Sequence, residues 1–330
     1  MMIIAADVGG TKTLLQLLER TDGGARALFE RRYADAAFGG FDELLTRFLA
    51  DARAQAIGPG DIETAVLGVA GPVDGDRVRL TNRPWEIDGT ALAARFGIGR
   101  VRLVNDFVAA ASGIAQLAPS DLAALQPGEP VVRAPQVVLG AGTGLGVAFR
   151  LWQGGRYEVV AGEGGNTGFA PSTPEQCELW RHIHAAAGRV GIEQVVSGPG
   201  LANIYAFVRE RGAAPESPEL AGALAREDKA AAIARFALER GDPLAGRALD
   251  LFIEAYGAVA GDFALSVLAH GGVFVAGGIA PRILPALQRG AFVAAFNAKG
   301  RFAARMARIP VHVVTNAALG MLGARAIALR

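Results

Sequence analysis

The chain is poor in cysteine and has no concentration of charge of one sign. Cys177 is the single cysteine among 330 residues, which excludes an internal disulfide framework and a cysteine-based metal cluster. There are 33 Lys and Arg residues against 32 Asp and Glu residues, a formal net charge of +1, with no basic run or basic stripe with interleaved aromatic residues. The sequence therefore predicts a protein of the reducing cytoplasm that does not have nucleic acid as its partner.

The chain also lacks a long uninterrupted hydrophobic run. Its most apolar later segment, residues 249–268, is interrupted by Asp250, Glu254 and Asp262, which argues against a membrane span. The apolar residues at the start meet Asp7 almost at once and follow no basic region, so no signal peptide is predicted. We expect a soluble protein with no membrane partner.

Glycine is abundant, with 44 residues, many of them grouped at three places rather than spread through loops. The length exceeds the size at which a single hydrophobic core usually stops growing, so two domains are predicted. The content of 51% hydrophobic and 20% charged residues is typical of globular domains. Grouped glycines in such domains indicate tight turns where the backbone approaches another group closely.

The first glycine group lies in a predicted β-hairpin. Residues 2–6 are apolar and residues 14–18 are apolar except for Gln16, and they predict two strands joined by a turn at Asp7-Val8-Gly9-Gly10-Thr11. A dinucleotide-binding fingerprint or a Walker loop would run from a strand into a helix, so neither is indicated. Glycines in this turn let backbone N–H groups approach phosphate oxygens, and the hydroxyls of Thr11 and Thr13 add donors. A plain hairpin turn is the alternative interpretation.

A carboxamide and a carboxylate follow a second predicted strand. Val101, Leu103 and Val104 indicate a buried strand that ends at Asn105 and Asp106, before a predicted helix. Ligands of open α/β sheets gather at the carboxyl ends of strands, so Asp106 is a candidate functional residue. Capping of the following helix is the alternative role for Asp106.

The pattern of the first hairpin returns in the middle of the chain. Residues 137–139 and 147–151 predict two strands, and residues 140–146 have a glycine at every second position. Apolar runs hold both ends of this segment, so a flexible loop is not indicated, and two such hairpins predict a duplicated architecture. The proline-containing residues 119–135 are predicted to form a surface connection between the domains.

Two acidic residues stand beside later glycine-rich segments. Glu163 lies within residues 162–168, where its carboxylate can accept hydrogen bonds from a hydroxylated ligand, and an exposed loop carboxylate is the alternative. Glu193 precedes Ser197-Gly198-Pro199-Gly200, after which a helix is predicted. Glu163 is therefore a candidate binding residue.

The last third of the chain predicts helices and one strand. Residues 218–268 are alanine-rich with helical periodicity and a break at residues 241–243. Residues 272–279 predict a strand that enters a double-glycine turn at Gly277 and Gly278. A further glycine turn thus follows a buried strand.

Five motifs occur in order along the chain, namely Asp7-Val8-Gly9-Gly10-Thr11, Leu103-Val104-Asn105-Asp106, Gly140-Ala141-Gly142-Thr143-Gly144-Leu145-Gly146, Ser197-Gly198-Pro199-Gly200 and Ala276-Gly277-Gly278-Ile279. Together they resemble the motifs of bacterial ATP-dependent glucokinases of the actin-like ATPase and hexokinase superfamily. The resemblance implies a two-domain α/β fold of ribonuclease-H-like (actin-like ATPase) type with the active site in the interdomain cleft. It implies a small domain of residues 1–115 plus 317–330, a large domain of residues 116–316, and a homodimer.

The resemblance also implies an activity, the transfer of the ATP γ-phosphoryl group to the 6-hydroxyl of glucose with Mg²⁺. Asp106 is implied to be the catalytic base. The residues implied to bind the sugar are Asn105, Asp106, Glu163, Asn166 and Glu193. The residues implied to bind ATP are Asp7, Gly9, Gly10, Thr11, Gly142, Thr143, Gly144, Gly277 and Gly278, with Asp7 reaching Mg²⁺ through water.

The chain departs from the family at one position. Where the family continues its Glu-Gly-Gly with a histidine that touches the sugar, this chain has Asn166, and its four histidines all lie outside the five motifs. Asn can donate and accept hydrogen bonds, so glucose can still be held, but a kinase for another hexose or an N-acetylated amino sugar stays open.

Two alternatives outside the sugar kinases share the fold. A sugar-responsive regulator would need a DNA-binding module, whereas this chain begins directly with the first glycine turn. An actin-like or chaperone-like ATPase would not need the Asn105-Asp106 pair or Glu163, which favour a small hydroxylated substrate.

Overall fold

The computed structural model describes residues 1–58, 60–80 and 83–330. Its β-strands, in chain order, are β1 Met2–Val8, β2 Lys12–Thr21, β3 Gly24–Ala34, β4 Ile62–Val69, β5 Val73–Asp74, β6 Arg77–Arg79, β7 Glu86–Asp88, β8 Arg100–Asn105, β9 Leu122–Gln126, β10 Gln136–Ala141, β11 Leu145–Gln153, β12 Arg156–Gly162, β13 Val273–Ala276 and β14 Val311–Val314. Its α-helices are α1 Phe41–Ala54, α2 Gly89–Phe96, α3 Asp106–Gly113, α4 Pro174–Ala187, α5 Gly198–Glu210, α6 Pro218–Leu224, α7 Lys229–Arg235, α8 Pro243–Val267, α9 Leu284–Leu287, α10 Ala291–Asn297, α11 Ala303–Met306 and α12 Leu319–Ala328.

The chain divides into two compact units. The first comprises Met1–Ala118 with Asn316–Arg330, and the second comprises Pro119–Thr315. The predicted division fell after residues 115 and 316, and the observed division falls after residues 118 and 315. Helix α12 belongs to the first unit, where it packs against α3, β1 and β4.

The main sheets of the two units have the same strand order. In the first unit it is β3-β2-β1-β4-β8, and in the second it is β12-β11-β10-β13-β14, with β9 added beside β14. In the first sheet β1 is antiparallel to β2 and parallel to β4, and in the second sheet β10 is likewise antiparallel to β11 and parallel to β13. The duplicated architecture and the α/β class predicted from the sequence are confirmed.

Both faces of the first sheet are covered by helices. Successive residues of a strand point to opposite faces, so Ile3 packs in a cluster with Met321 of α12, whereas Ile4 packs with Phe41 and Phe48 of α1. All five side chains are almost completely buried. Burial of each large side chain contributes roughly 1.5–3 kcal/mol. The sheet therefore holds the ends of its strands in fixed positions.

The parallel strands β1, β4 and β8 end at one edge of this sheet. The register pairs Val8 with Val69 and Val69 with Asn105. Neighbouring strands lie about 4.8 Å apart, so the ends of β1 and β8 are separated by roughly 10 Å. The predicted turn at residues 7–11 is shorter than expected, because Asp7 and Val8 remain paired in β1 and the turn begins at Gly9.

Residues 119–135 do not form the simple connection predicted from their prolines. They contain β9, which pairs antiparallel with β14 in the sheet of the second unit. The Gln126 side chain donates to the carbonyl oxygens of Met306 and Ile309 at 3.0 and 2.7 Å. The sequence of β9, Leu-Ala-Ala-Leu-Gln, has no apolar alternation, so its pairing with a distant strand leaves no local signal.

Helices dominate the rest of the second unit, as the alanine-rich sequence predicts. The longest, α8, has 25 residues, begins after the predicted break with Asp242 as its N-cap, and is buried along most of its length. A π-helical turn, Phe236–Arg240, follows α7. Among the residues that the structure describes, no helix combines the length and hydrophobicity that crossing a membrane requires.

Candidate functional site

The turn between β1 and β2 offers two neighbouring N–H groups. The N–H of Gly9 donates to the carbonyl oxygen of Lys12 at 3.1 Å and closes the turn. Within the described parts of the chain, the N–H groups of Gly10 and Thr11 find no acceptor. Successive free N–H groups in a turn form a concave site for an anion such as phosphate.

Asp7 precedes this turn near the end of β1. Its carboxylate packs against Gly320 in the first turn of α12, where a β-carbon would lie 3.0 Å from Oδ2. Burial raises the pKa of the Asp7 carboxyl, and the positive charge of Arg32 opposes that effect. A bound cation would favour the charged carboxylate in the same way as Arg32 does.

The residues around Asp7 suit Mg²⁺ bound together with substrate phosphates better than a metal ion held entirely by protein side chains. The described residues contain no group of three or more His, Cys, Asp or Glu side chains that could hold a metal ion. Mg²⁺ usually keeps several waters and binds through one or two carboxylates together with substrate phosphates. Asp7 beside a phosphate-type turn matches that pattern.

Asn105 and Asp106 lie at the same edge of the sheet, at the end of β8. Asn105 is the N-cap of α3, because its Oδ1 accepts hydrogen bonds from the N–H groups of Phe107 and Val108 at 2.9 and 3.3 Å. Its Nδ2 donates to the carbonyl oxygen of Gly71 at 3.3 Å. Asp106 is the first helical residue and is exposed. The capping role considered for Asp106 therefore belongs chiefly to its neighbour.

The turn between β10 and β11 repeats the arrangement of the first turn. The N–H of Gly142 donates to the carbonyl oxygen of Gly144 at 2.8 Å, and the carbonyl oxygen of Gly142 accepts from the N–H of Gly198 at the start of α5. The N–H groups of Thr143 and Gly144 have no acceptor in the part of the chain that the structure describes. Each unit thus has one glycine turn suited to a phosphate group.

The second turn opens into a cavity of about 570 Å³ within the second unit. Three residues predicted to bind ATP line it, namely Gly142, Thr143 and Gly278, and much of the remaining wall is apolar. Gly277 holds the neighbouring turn in place, because its φ of +82° favours glycine and a β-carbon would lie 2.5 Å from the carbonyl oxygen of Ala141. A largely apolar cavity of this size beside a phosphate-type turn suits a nucleotide.

The sequence did not indicate the polar residues on the rest of the cavity wall. They are Asn203 of α5, Asp228 and Lys229 at the start of α7, and Arg282 after β13. Lys229 and Arg282 are exposed, and neither side chain has an ion pair or a hydrogen bond with another described residue. These residues come together only through helix packing, and no motif contains them, so no local signal could have revealed them.

Glu193 lies directly beside the second glycine turn. Its Oε2 is 3.5 Å from the N–H of Leu145, and a β-carbon at Gly144 would lie 2.9 Å from the same oxygen. Its carbonyl oxygen accepts a hydrogen bond from the Ser197 hydroxyl, which also caps α5. A β-carbon at position 144 would thus push this carboxylate away from the turn.

The loop that contains Glu163 and Asn166 packs against the segment that contains Glu193. The N–H of Ile192 donates to the carbonyl oxygen of Thr167 at 2.9 Å. Arg189 donates through Nη2 to the carbonyl oxygen of Asn166 at 2.7 Å. Glu163 and Asn166 are exposed. The structure therefore places in contact the two segments that carry the three candidate sugar-binding residues of the second unit.

The fold and the paired phosphate-type turns define a nucleotide-binding protein of the actin-like ATPase class. A family model described as Glucokinase matches residues 4–330. The chain belongs to the glucokinase family.

Individual relatives agree with this assignment. A glucokinase from Synechocystis sp. is 41% identical over 340 residues, which cover 97% of this chain and 96% of the relative. The crystal structure of a glucokinase from an Antarctic psychrotroph superposes with a TM-score of 0.84 at 27% identity, covering 99% of this chain and 98% of that chain. A ROK family glucokinase from Streptomyces griseus in complex with glucose and AMPPNP has a TM-score of 0.63 at 22% identity over 99% of both chains and shares the fold. The predicted ribonuclease-H-like fold is confirmed.

Proposed function

We propose that this protein is an ATP-dependent glucokinase that transfers the γ-phosphoryl group of ATP to the 6-hydroxyl of glucose. The observation that carries the proposal is the edge of the first sheet, where the end of β8 before Asp106 lies roughly 10 Å from the end of β1, and the turn after β1 has N–H groups at Gly10 and Thr11 with no acceptor among the described residues. A carboxylate next to a phosphate-binding turn suits the deprotonation of a hydroxyl that attacks phosphorus.

Asp106 accepts the proton of the 6-hydroxyl as its oxygen attacks the γ-phosphorus atom. The bond between the γ-phosphorus and the bridging oxygen to the β-phosphate breaks, and ADP leaves with that oxygen. Proton acceptance by a positioned base contributes roughly 10² to 10⁴ in rate. Alignment and neutralisation of phosphate charge supply most of the remaining acceleration in phosphoryl transfer.

The sugar hydroxyls form hydrogen bonds with five residues. Asn105 uses the Nδ2 hydrogen that does not bond to Gly71, because a carboxamide carries two such hydrogens. Glu163 and Glu193 accept hydrogen bonds through their carboxylates, and Asn166 takes the place of the family histidine. Asp106 completes the set through the 6-hydroxyl.

ATP occupies the cavity of the second unit, and the two glycine turns hold its phosphates. The donors are the N–H groups of Gly10, Thr11, Thr143 and Gly144, which have no acceptor among the residues that the structure describes, with Gly9 and Gly142 closing the turns. Lys229 and Arg282 add positive charge at the cavity wall. Asp7 would hold Mg²⁺ through water, and the bound ion would supply further neutralisation of the phosphate charge.

The remaining properties follow from membership of the family. We propose that the two compact units are its two domains, that the protein forms a homodimer, and that it works in the cytoplasm. The single Cys177 is consistent with the last of these.

A second candidate substrate rests on position 166. The Asn166 side chain is shorter than histidine and lies on a loop held by Arg189. A site built to bond one hydroxyl can reject an analogue that lacks it by roughly 10⁴ to 10⁵. The change at position 166 can therefore move the preference to another hexose or to an N-acetylated amino sugar, which the same base and phosphate-binding turns would phosphorylate.

Coupled measurement of ADP release tests the proposal. Mg·ATP is offered with glucose, mannose, fructose, N-acetylglucosamine or no sugar. Strong stimulation by glucose supports the glucokinase, and preference for another sugar moves the substrate while keeping the mechanism. Release that does not depend on sugar, or no release at all, contradicts the proposal.

A further inference from the structure

Arg83 lies against the first glycine turn, and no motif of the sequence includes it. Its Nε donates to the carbonyl oxygen of Gly10 at 3.0 Å. Its guanidinium also lies over the ring of Trp85, 5.5 Å from the ring centroid, and Trp85 is buried. The side chain is 20% exposed, so the hydrogen bond is largely shielded from water. Arg83 is therefore held in one place relative to the turn.

The hydrogen bond to Gly10 sets the direction of a neighbouring donor. The peptide unit between Gly10 and Thr11 is planar and trans, so the carbonyl of Gly10 and the N–H of Thr11 point in opposite directions. Because Arg83 holds the carbonyl on one side, the Thr11 N–H is directed to the other. That N–H is one of the two without an acceptor among the described residues.

Asp35 forms an ion pair with Arg83. It follows β3, is fully buried, and its Oδ2 lies 3.8 Å from Nε of Arg83. Neither carboxylate oxygen accepts a hydrogen bond from another residue that the structure describes. Its backbone N–H donates to the carbonyl oxygen of Thr11 at 3.1 Å, which ties the same segment to the turn. Burial raises the pKa of the Asp35 carboxyl, and Thr13 and the positive charge of Arg83 oppose that effect, so Arg83 and Asp35 are coupled as an ion pair.

We propose that Arg83, anchored by Asp35, is the positioning residue that orients the Thr11 N–H of the first turn towards a phosphate group of Mg·ATP. The identity of this ligand rests on the proposed function, whereas the orientation of the turn does not. The bond to Gly10 leaves the glycine backbone with one preferred peptide direction before the nucleotide arrives. The turn then loses less conformational entropy when the nucleotide binds.

The test compares Arg83→Met with Arg83→Lys. Methionine keeps the packing on Trp85 and removes every donor, whereas lysine keeps the positive charge and the ability to donate through a single ammonium group. The Kd for Mg·ATP, from calorimetry, is expected to rise about tenfold in Arg83→Met, as for loss of a hydrogen bond from a charged donor, and to recover partly in Arg83→Lys. Arg79→Met is the matched control, because Arg79 is exposed on β6 and its side chain has no ion pair or hydrogen bond with another described residue.

Kinetics separates positioning from a merely structural role. Arg83→Met is expected to raise the KM for Mg·ATP while the KM for the sugar at saturating Mg·ATP stays within about twofold. Asp35→Asn is expected to have a similar effect, and adding it to Arg83→Met is expected to change the KM for Mg·ATP little further, because both act through one unit.

Two results overturn the inference. One is an Arg83→Met protein with a lower thermal midpoint but unchanged Kd and KM for Mg·ATP. The other is independent, additive effects of the changes at Arg83 and Asp35. If the wild-type protein binds Mg·ATP but phosphorylates no sugar, the proposed function fails and the binding measurements still decide the role of Arg83.

Discussion

Tyr256→Phe removes a single oxygen from the core of the second unit, and its effect can be worked out from the contacts. Tyr256 lies in α8 and is completely buried, and its hydroxyl accepts a hydrogen bond from the N–H of Ala141 at 3.1 Å. Phenylalanine leaves that N–H buried without an acceptor, which costs about 1–3 kcal/mol. For a unit of this size the thermal midpoint falls by roughly 2–4 °C for each kcal/mol.

The same substitution is expected to weaken the binding of Mg·ATP. Ala141 is the last residue before the second glycine turn, and its carbonyl oxygen accepts from the N–H of Ile279 beside the double-glycine turn. Loosening Ala141 therefore raises the KM for Mg·ATP and leaves the KM for the sugar unchanged. Unfolding in urea measures the stability, and steady-state kinetics measures both constants.

Tyr205→Phe is the control for this prediction. The hydroxyl of Tyr205 donates to the carboxylate of Glu216, which water can reach, so its loss should cost less than the loss at Tyr256. A Tyr256→Phe protein that matches the wild type within about 0.5 kcal/mol and keeps its KM for Mg·ATP refutes the reasoning.

Three further predictions concern single positions. Gly144→Ala would place a β-carbon 2.9 Å from the carboxylate of Glu193 and push it away, so kcat/KM for the sugar should fall at least tenfold, about 1.4 kcal/mol. Gly168→Ala is the control, because a β-carbon there meets open space and kcat/KM should change little. Asp7→Asn should raise the thermal midpoint of the metal-free protein, because burial raises the pKa of this carboxyl, and should weaken Mg·ATP binding in calorimetry. Burial lowers the pKa of His312 from its ordinary value of 6.5, so the unfolded chain binds this proton at a higher pH than the folded protein does. The free energy of unfolding therefore falls as pH drops through 6.5, and His312→Gln should lessen that fall in unfolding measured at several pH values.

The sequence predicts the elements whose pattern is local. Both glycine hairpins are recognisable because apolar strands flank short turns. The edge strand β3 is different, since Gly24–Ala34 is rich in charge and Phe29 and Tyr33 are its only fully buried side chains. Its pairing with β2, rather than its own pattern, makes it a strand.

The residues of the candidate site differ in the same way: local motifs predict some of them, and only the packing of distant segments places the others. Residues in glycine motifs can be predicted from the chain, because the chemistry of close backbone approach demands glycine at defined spacing. Arg83, Lys229 and Arg282 cannot, because each reaches its place through packing between segments distant in sequence. The use of Asn105 as the helix cap also depends on where β8 ends, which sequence patterns locate only within a few residues.

Phosphoryl transfer by Asp106→Asn tests the central claim most directly. Asparagine has nearly the same shape but does not accept the proton, so the rate of glucose 6-phosphate formation in a single turnover should fall by about 10² to 10⁴. Glucose affinity measured by calorimetry should stay close to that of the wild type, because the carboxamide of asparagine can still hydrogen-bond the 6-hydroxyl. The thermal midpoint should also change little, because Asn105 rather than Asp106 is the N-cap of α3. An Asp106→Asn protein that binds glucose normally and transfers the phosphoryl group within about tenfold of the wild-type rate would contradict the role of Asp106 as the base.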